Sequence, residues 1–304
     1  MAVALAANLG VAAAKLVAAI ITRSTAMSAE AAHAFADAGN QVLLLVAQRR
    51  STRPRDDRHP FGYGREAYFW ALIASLVVFV AGAVFSLREG VVELLYPVGA
   101  SSFLVAYAIL AVSAVLDSVS LLQAVRQLRA EAHLLRREFL DQLVLTSDPT
   151  LRAVFAEDAA AIAGDVIALV GVGLQQATGS STPDAVAAVL IGLLLIGVGV
   201  QLARRNRDFL LGEQAPPAAK DEIRAFVVGY PGVAAVRELL VTFVGPRRVW
   251  VLARVDIEDE LRGDEVEALV RAIELGLQHQ SEYIERVDVV PIGARREPTD
   301  ESSL

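Results

Sequence analysis

The sequence predicts an α-helical membrane protein with six transmembrane helices, followed by a small cytoplasmic α+β domain. Hydrophobic residues make up 55% of the 304 residues and the mean hydropathy is +0.47, so the chain is more apolar than an ordinary water-soluble protein. Its apolar stretches have about the 20 residues that a helix needs to cross roughly 30 Å of hydrocarbon. The last third of the chain instead mixes short apolar runs with charges and turn residues, which is typical of a folded aqueous domain.

Six apolar stretches define the predicted transmembrane helices, which we number as spans one to six. They cover residues 3–22, 26–48, 67–87, 103–125, 151–176 and 184–203. The loops after spans two, four and six are rich in arginine, whereas the opposite loops hold a single basic residue, Arg23. Because basic loops stay on the cytoplasmic side, both termini are predicted to be cytoplasmic. We expect a multi-pass protein of a membrane, with the bacterial inner membrane as its location.

The tail of the chain predicts a domain with the element order α–β–β–α–β. Pro216 and Pro217 open the first helix, and Gly245 and Pro246 join two strands as in a hairpin. The predicted strands and second helix cover residues 233–244, 249–257, 265–277 and 284–290. The resulting domains are a membrane domain over residues 1–207, a cytoplasmic α+β domain over 208–294 and a disordered tail over 295–304.

Charge and composition exclude several kinds of partner and site. From Asp208 onward the chain has 19 acidic and 11 basic residues, against 16 and 17 before it, and this acidic tail argues against nucleic acid as a partner. The chain has no cysteine, so a metal ion must be held by nitrogen and oxygen ligands. Of the four histidines, only His33 lies in an apolar stretch.

Polar residues inside spans two and five predict a metal site. Glu30, His33, Asp37 and Asn40 follow one another at spacings of three and four, and His33 and Asp37 therefore share a helix face. An ionisable group at the bilayer centre costs roughly 2.5–3.5 kcal/mol, so several of them need a reason. Imidazole and carboxylate are ligands of divalent cations, which supplies that reason.

Span five contributes Glu157, Asp158 and Asp165. On a helical wheel, Asp158 and Asp165 lie about 20° apart, while Glu157 lies about 100° from Asp158. The predicted metal ligands are therefore His33, Asp37 and Asp158. Further ligands or proton-relay groups are predicted among Asn8, Glu157 and Asp165.

Each of these residues also has a structural interpretation. A lone histidine in an apolar helix is often a hydrogen-bonded core residue, and Asp165 can serve helix packing. We expect Glu30 at the membrane edge and Lys15 either paired with an acid or extended toward water. Asp117 lies deep within span four. A role in the site and a structural hydrogen bond to a neighbouring span are equally expected for it. His59 and His133 are predicted to be solvated.

Four segments of this chain resemble the cation diffusion facilitator family. The stretch AEAAHAFADAGNQ over residues 29–41 resembles its second span, and HPFGYGR over residues 59–65 resembles the loop that follows. Asp158 followed by Gly164 is similar to the fifth span, and the YPGV stretch from Tyr230 resembles the start of the metallochaperone-like tail. Within the family, EDAAA over residues 157–161 is most similar to the zinc transporter nine branch.

The resemblance implies a homodimeric antiporter, with residues 208–294 as its dimerisation domain. It implies that the protein exports a divalent metal ion from the cytoplasm in exchange for protons and is not an enzyme. The family site has two residues four apart on each of spans two and five. His33 and Asp37 match the first pair and Asp158 matches one member of the second, but Val154 occupies the other position and cannot bind metal. Because this leaves more oxygen donors, manganese, iron or cobalt become candidates beside zinc. No prosthetic group is implied.

Two other classes are weighed against a transporter. An intramembrane metalloprotease would need a His–Glu–x–x–His helix, which the sequence lacks. A membrane metal sensor or accessory protein that does not transport is the alternative that the altered fifth span leaves open.

Overall fold

The computed structural model describes residues 2–97, 102–134 and 138–292 and consists of a helical bundle and a small α+β domain. The tail predicted over residues 295–304 lies outside the described residues. The helices of the bundle are α1 (Ala2–Thr22), α2 (Thr25–Ser51), α3 (Glu66–Leu95), α4 (Phe103–Leu134), α5 (Phe139–Leu145), α6 (Pro149–Thr178) and α7 (Thr182–Leu210).

Each predicted span coincides with one long helix, but several helices run beyond the apolar stretch. Helix α3 ends at Leu95, α4 at Leu134 and α7 at Leu210. The extension of α4 is rich in alanine, leucine, arginine and glutamate, which are strong helix formers in water as well as in lipid. Hydropathy marks only the apolar part of such a helix, and it gave no sign of the short helix α5.

Within the described residues, three helices are long and apolar enough to cross a membrane by length and composition: α3, α4 and α7. Helix α1 has a shorter apolar stretch, Asn8–Thr22. Helices α2 and α6 carry the ionisable residues, which lower their hydropathy. The protein is thus mostly helical with a small C-terminal sheet, and the number of six spans stays a prediction.

Close packing of α7 fixes the ends of its neighbours. A side chain at Gly199 would collide with Phe79 of α3, so this glycine lets the two helices approach closely. At its other end, α7 places the buried carboxylate of Asp184 against the start of α2, where it accepts hydrogen bonds from Ser24 Oγ at 2.8 Å and from Thr25 N at 2.6 Å. An acid at a helix N-terminus satisfies free backbone N–H groups, which anchors the helix that carries His33.

The C-terminal domain has the predicted order α–β–β–α–β. Its elements are α8 (Pro217–Val228), β1 (Val233–Gly245), β2 (Arg248–Ile257), α9 (Gly263–Gln280) and β3 (Ile284–Ile292). Strand β2 lies in the centre of the sheet, antiparallel to β1 and parallel to β3. The core packs Val227, Ile273 and Leu277 of the two helices with alternate residues of β2. The predicted domain boundaries at residues 207 and 294 stay predictions.

The loop between α2 and α3 contacts the C-terminal domain. Phe61 packs against Trp250 with ring centroids 5.0 Å apart. In the same loop His59 is half-exposed and lies 3.1 Å from Asp56, so the prediction that it is solvated is confirmed. The Tyr63 hydroxyl donates a hydrogen bond to Asp56, and this bond lowers the pKa of the Asp56 carboxyl. His133 is exposed as well.

Candidate cation site

The polar face of α2 points into the helical bundle. The helix begins after Ser24, which caps it by accepting a hydrogen bond from Met27 N. The residues between the polar side chains are mostly alanines, which add little bulk to the helix surface. Glu30 is 0% exposed and His33 is 1% exposed, so neither side chain faces solvent. Both lie between packed helices. Glu30 belongs to one of two neighbouring polar groups, and His33 lies against the other.

The first group, which we call the lysine triad, consists of Lys15, Glu30 and Asp165. Lys15 Nζ of α1 donates to Glu30 Oε2 of α2 and to Asp165 Oδ1 of α6, each at 2.8 Å. All three side chains are buried. Gly164 makes room for the group, because any side chain there would collide with the Glu30 carboxylate. One buried cation thus joins three helices.

The triad decides one open question from the sequence. Glu30 is buried in the bundle and paired with Lys15 of α1, while its expected place at the membrane edge stays a prediction. Of the two alternatives for Lys15, pairing with an acid is the one observed. Asp165 takes part in the helix-packing ion pair, while its predicted role as ligand or proton relay stays a prediction.

The second group, which we call the acidic cavity, surrounds a space of about 20 Å³ between α1, α2, α4 and α6. A space of this size holds roughly one water molecule or one bare metal ion. Its polar lining is contributed by Asn8, Lys15, Asp37, Gln41, Asp117, Glu157 and Asp158. Four carboxylates around one ammonium group make a field that attracts cations.

Several polar atoms at this cavity lack a partner. Asp37 Oδ1 and Glu157 Oε1 are buried without a hydrogen bond, and so are both ring nitrogens of His33. Buried polar atoms in proteins are normally hydrogen-bonded or bound to a ligand. The two remaining acids are held from α4, where Ser120 Oγ donates to Asp158 Oδ2 at 2.6 Å and Ser113 Oγ donates to Asp117 Oδ2 at 3.1 Å. The cavity therefore has unused acceptors for a cation.

The structure brings some of the predicted ligands together. Asp37 and Asp158 line the cavity, as do Glu157 and Asn8. His33 does not line it but lies against it, with Nε2 3.4 Å from Asp37 Oδ2. In the described part of the chain, no three His, Cys, Asp or Glu side chains approach closely enough to enclose a metal ion, so the ligand set stays a prediction.

Helix α4 contributes two residues that the sequence analysis did not predict, Ser113 and Ser120. They share one helix face with the deep acid Asp117, at spacings of four and three. A polar stripe of this kind in an apolar span is a signal that could have been found. Val154, the position where the family has a ligand, packs instead against an apolar cluster that includes Leu128 and Leu151.

Comparisons with known proteins show which family the chain is similar to. Residues 1–211 match the model of the cation efflux transmembrane domain. The chain is 33% identical over 244 residues to the mitochondrial proton-coupled zinc antiporter SLC30A9 of Xenopus laevis and of Homo sapiens, which covers 80% of this chain and 44% and 43% of those proteins.

Two further relatives are named as a metal tolerance protein and a cation-efflux pump. Metal tolerance protein C4 of Arabidopsis thaliana is 28% identical over 238 residues, covering 78% of this chain and 52% of that protein. The cation-efflux pump FieF of Escherichia coli is 24% identical over 241 residues, covering 79% and 74%. The chain thus spans less than half of the length of its SLC30A9 relatives. With a family model that covers more than two thirds of its length, the chain belongs to the cation efflux family of metal transporters, which are not enzymes, and lies close to the SLC30A9 branch.

Proposed function

We propose that this chain exports a divalent metal cation from the cytoplasm in exchange for protons, with zinc as the expected cargo and manganese, iron(II) and cobalt as alternatives. The acidic cavity is the observation that carries the proposal. It lies among four helices of the membrane domain, and its carboxylates greatly outnumber its single ammonium group. A cation of the size of a water molecule fits the space and would satisfy acceptors that have no other partner.

His33, Asp37 and Asp158 are the proposed ligands, with Glu157, Asn8 and Asp165 as further candidates. The contact between His33 Nε2 and Asp37 Oδ2, 3.4 Å apart, supports the pair on α2, because it holds the imidazole next to a carboxylate that lines the cavity. Asp158 is turned toward the cavity by its hydrogen bond from Ser120. A ligand held by a second residue needs less reorganisation when the cation arrives.

Exchange for protons follows from the chemistry of these ligands. Bound metal requires a neutral imidazole and ionised carboxylates, so metal and protons compete for the same atoms. A site that opens alternately to the two sides of the bilayer would load metal from one side and protons from the other. The relatives named proton-coupled zinc antiporters support this coupling.

A homodimer in the lipid bilayer is part of the proposal, with both termini cytoplasmic. The C-terminal domain supports it, because one face of its sheet is covered by α8 and α9 while outward residues such as Arg237 and Arg254 are partly exposed. The alternative is a membrane metal sensor that binds the cation without moving it. Transport and binding measured on one preparation separate the two.

The test is metal uptake by the full chain in proteoliposomes that hold a pH gradient, with zinc, manganese, iron(II) and cobalt compared. We expect uptake that depends on the gradient and is lost in His33→Ala and Asp37→Ala. Asp221→Asn, an exposed acid on α8, is the control that should behave as the unaltered protein.

Two results would contradict the proposal. Uptake by His33→Ala and Asp37→Ala at the unaltered rate would show that the ligands lie elsewhere. Metal binding by the unaltered protein without uptake of any of the four ions would favour the sensor.

A further inference from the structure

We infer that α4 is part of the cation site: Asp117 contacts the transported cation, and Ser113 and Ser120 position the carboxylates that receive it. The inference rests on the proposed function and adds a third helix to a ligand set assigned to α2 and α6. It follows from three observations on the described residues: the lining of the cavity, the two serine hydrogen bonds and the unpartnered atoms opposite α4.

Asp117 belongs to the cavity by position. It lines the same space of about 20 Å³ as Asp37, Glu157 and Asp158, and it comes from the opposite side of the bundle, on α4. A carboxylate on α4, a helix apolar enough to cross a membrane, carries an energetic cost that a purely structural role does not explain, since its hydrogen bond is to Ser113 of the same helix.

The two serines hold one oxygen of each acid and leave the other for a ligand. Ser113 Oγ donates to Asp117 Oδ2 at 3.1 Å within α4, and Ser120 Oγ donates to Asp158 Oδ2 at 2.6 Å across to α6. A hydroxyl that donates to a carboxylate fixes its rotamer and does not compete for a cation, because a cation binds the remaining lone pairs. Both serines therefore have the role of positioning residues.

An independent observation is that two carboxylate oxygens at the cavity have no hydrogen-bond partner among the described residues. Glu157 is 3% exposed, lines the cavity and has an oxygen, Oε1, that accepts no hydrogen bond. Asp37 Oδ1 is also buried and accepts no hydrogen bond. Acids from three helices that face one small space, two of them with unpartnered oxygens, are the pattern expected where a cation binds.

Adding Asp117 changes the chemistry of the site. The cation then meets carboxylate oxygens from α2, α4 and α6, while imidazole nitrogen is limited to His33. Oxygen ligands favour harder divalent cations such as Mn²⁺ over the softer ions that select imidazole and thiolate. We therefore expect the α4 acid to contribute more to manganese transport than to zinc transport.

The experiment compares Asp117→Asn, Ser120→Ala and Ser118→Ala in the full chain in proteoliposomes, with manganese and zinc as cargoes. Ser118 is the matched control, because it lies on the same helix, is exposed and donates only to the carbonyl of Ala114. We expect Asp117→Asn to raise the manganese concentration for half-maximal uptake about tenfold or more and the zinc value by less, and Ser120→Ala to raise both by about tenfold. Ser118→Ala should leave both values unchanged.

Failure of this inference differs from failure of the proposed function. Unaltered half-maximal concentrations in Asp117→Asn, with uptake lost in Asp37→Asn, would overturn the role of α4 and leave the transporter intact. If the unaltered protein moves no metal, Mn²⁺ binding measured by electron paramagnetic resonance in detergent decides the role of Asp117. Equal binding by Asp117→Asn and the unaltered protein would then overturn it.

A folding defect is separated from a site defect by a second variant. Ser113→Ala keeps the Asp117 carboxylate but removes the donor that holds it, so we expect a smaller rise in half-maximal manganese concentration than in Asp117→Asn. The elution volume of each variant on size exclusion shows whether it is folded. A rise that is equal in Ser113→Ala, Asp117→Asn and Ser118→Ala would contradict the inference, since it would follow from any change in α4.

Discussion

The lysine triad and the acidic cavity share helices α1, α2 and α6, to which the cavity adds α4, and both consist of acids around Lys15, but they differ in charge balance. In the triad, Glu30 and Asp165 share one ammonium group at 2.8 Å. In the cavity, four carboxylates face the same Lys15, which the triad already holds. Buried acids with an internal cation have their charge compensated within the fold, whereas buried acids without one keep their capacity for an external cation.

The largest effect that would test this contrast is expected from Lys15→Met. It leaves Glu30 and Asp165 buried without their cation, and loss of one partner of a buried ion pair lowers the free energy of unfolding by about 3–5 kcal/mol. Thermal unfolding of the protein in detergent, followed by circular dichroism, measures the loss. Adding Glu30→Gln and Asp165→Asn to this variant should recover most of the stability, since no unpaired charge remains; no recovery would mean that Lys15 acts by another route.

A change in the acidic cavity is expected to reduce transport and to leave stability unaltered. Asp37→Asn removes a proposed ligand, and uptake should fall by more than the ~10–100-fold that loss of an outer-shell partner costs. The unfolding temperature should stay near that of the unaltered protein, because the Asp37 side chain has no ion-pair partner apart from His33 among the described residues. A variant that unfolds early would place Asp37 with the structural acids.

Gly164→Ala should lower stability by a smaller amount. The added methyl group collides with the Glu30 carboxylate and forces the triad apart, and overpacking of this kind costs about 1–3 kcal/mol. Gly197→Ala is the matched control, because nothing lies within 4 Å of that position and alanine favours the helix. Both variants are compared by thermal unfolding, and equal behaviour would show that the space at Gly164 is not needed.

The smallest effect, and the one of opposite sign, is expected from Glu157→Gln. It replaces a buried acid that has an unpartnered oxygen and no internal cation, so the free energy of unfolding should rise by about 0.5–2 kcal/mol while metal affinity falls. Unfolding and Mn²⁺ binding are measured on the same preparation. If Glu157→Gln loses stability as Lys15→Met does, the two groups of acids do not differ in the way proposed.

Local patterns were sufficient for most of the fold. Apolar stretches located the six long helices, and alternation with turn residues gave the order α–β–β–α–β of the C-terminal domain. The errors lie at helix ends and in α5, where hydropathy carries no information because the helix continues in water. The short helix has seven residues, too few for a periodic signal.

The candidate site was predicted less completely. The sequence predicted a site on α2 and α6, from the spacing of His33 and Asp37 and from the acids of α6. The structure places Asp37, Glu157 and Asp158 around one cavity. The wheel that set Asp158 beside Asp165 could not show that the first turns to Ser120 of α4 and the second to Lys15 of α1. Partners on other helices are decided by packing, not by position along one helix.

By itself, the sequence determined the class of the protein, the position of its helices and the residue types that could bind a cation, because periodicity and the cost of burying charge are local properties. The tertiary structure decided which acids are neutralised. Lys15, 15 residues from Glu30 and 150 from Asp165, pairs with both and not with Asp37 or Glu157. That choice depends on which helix faces meet across the bundle, and no spacing along the chain contains it.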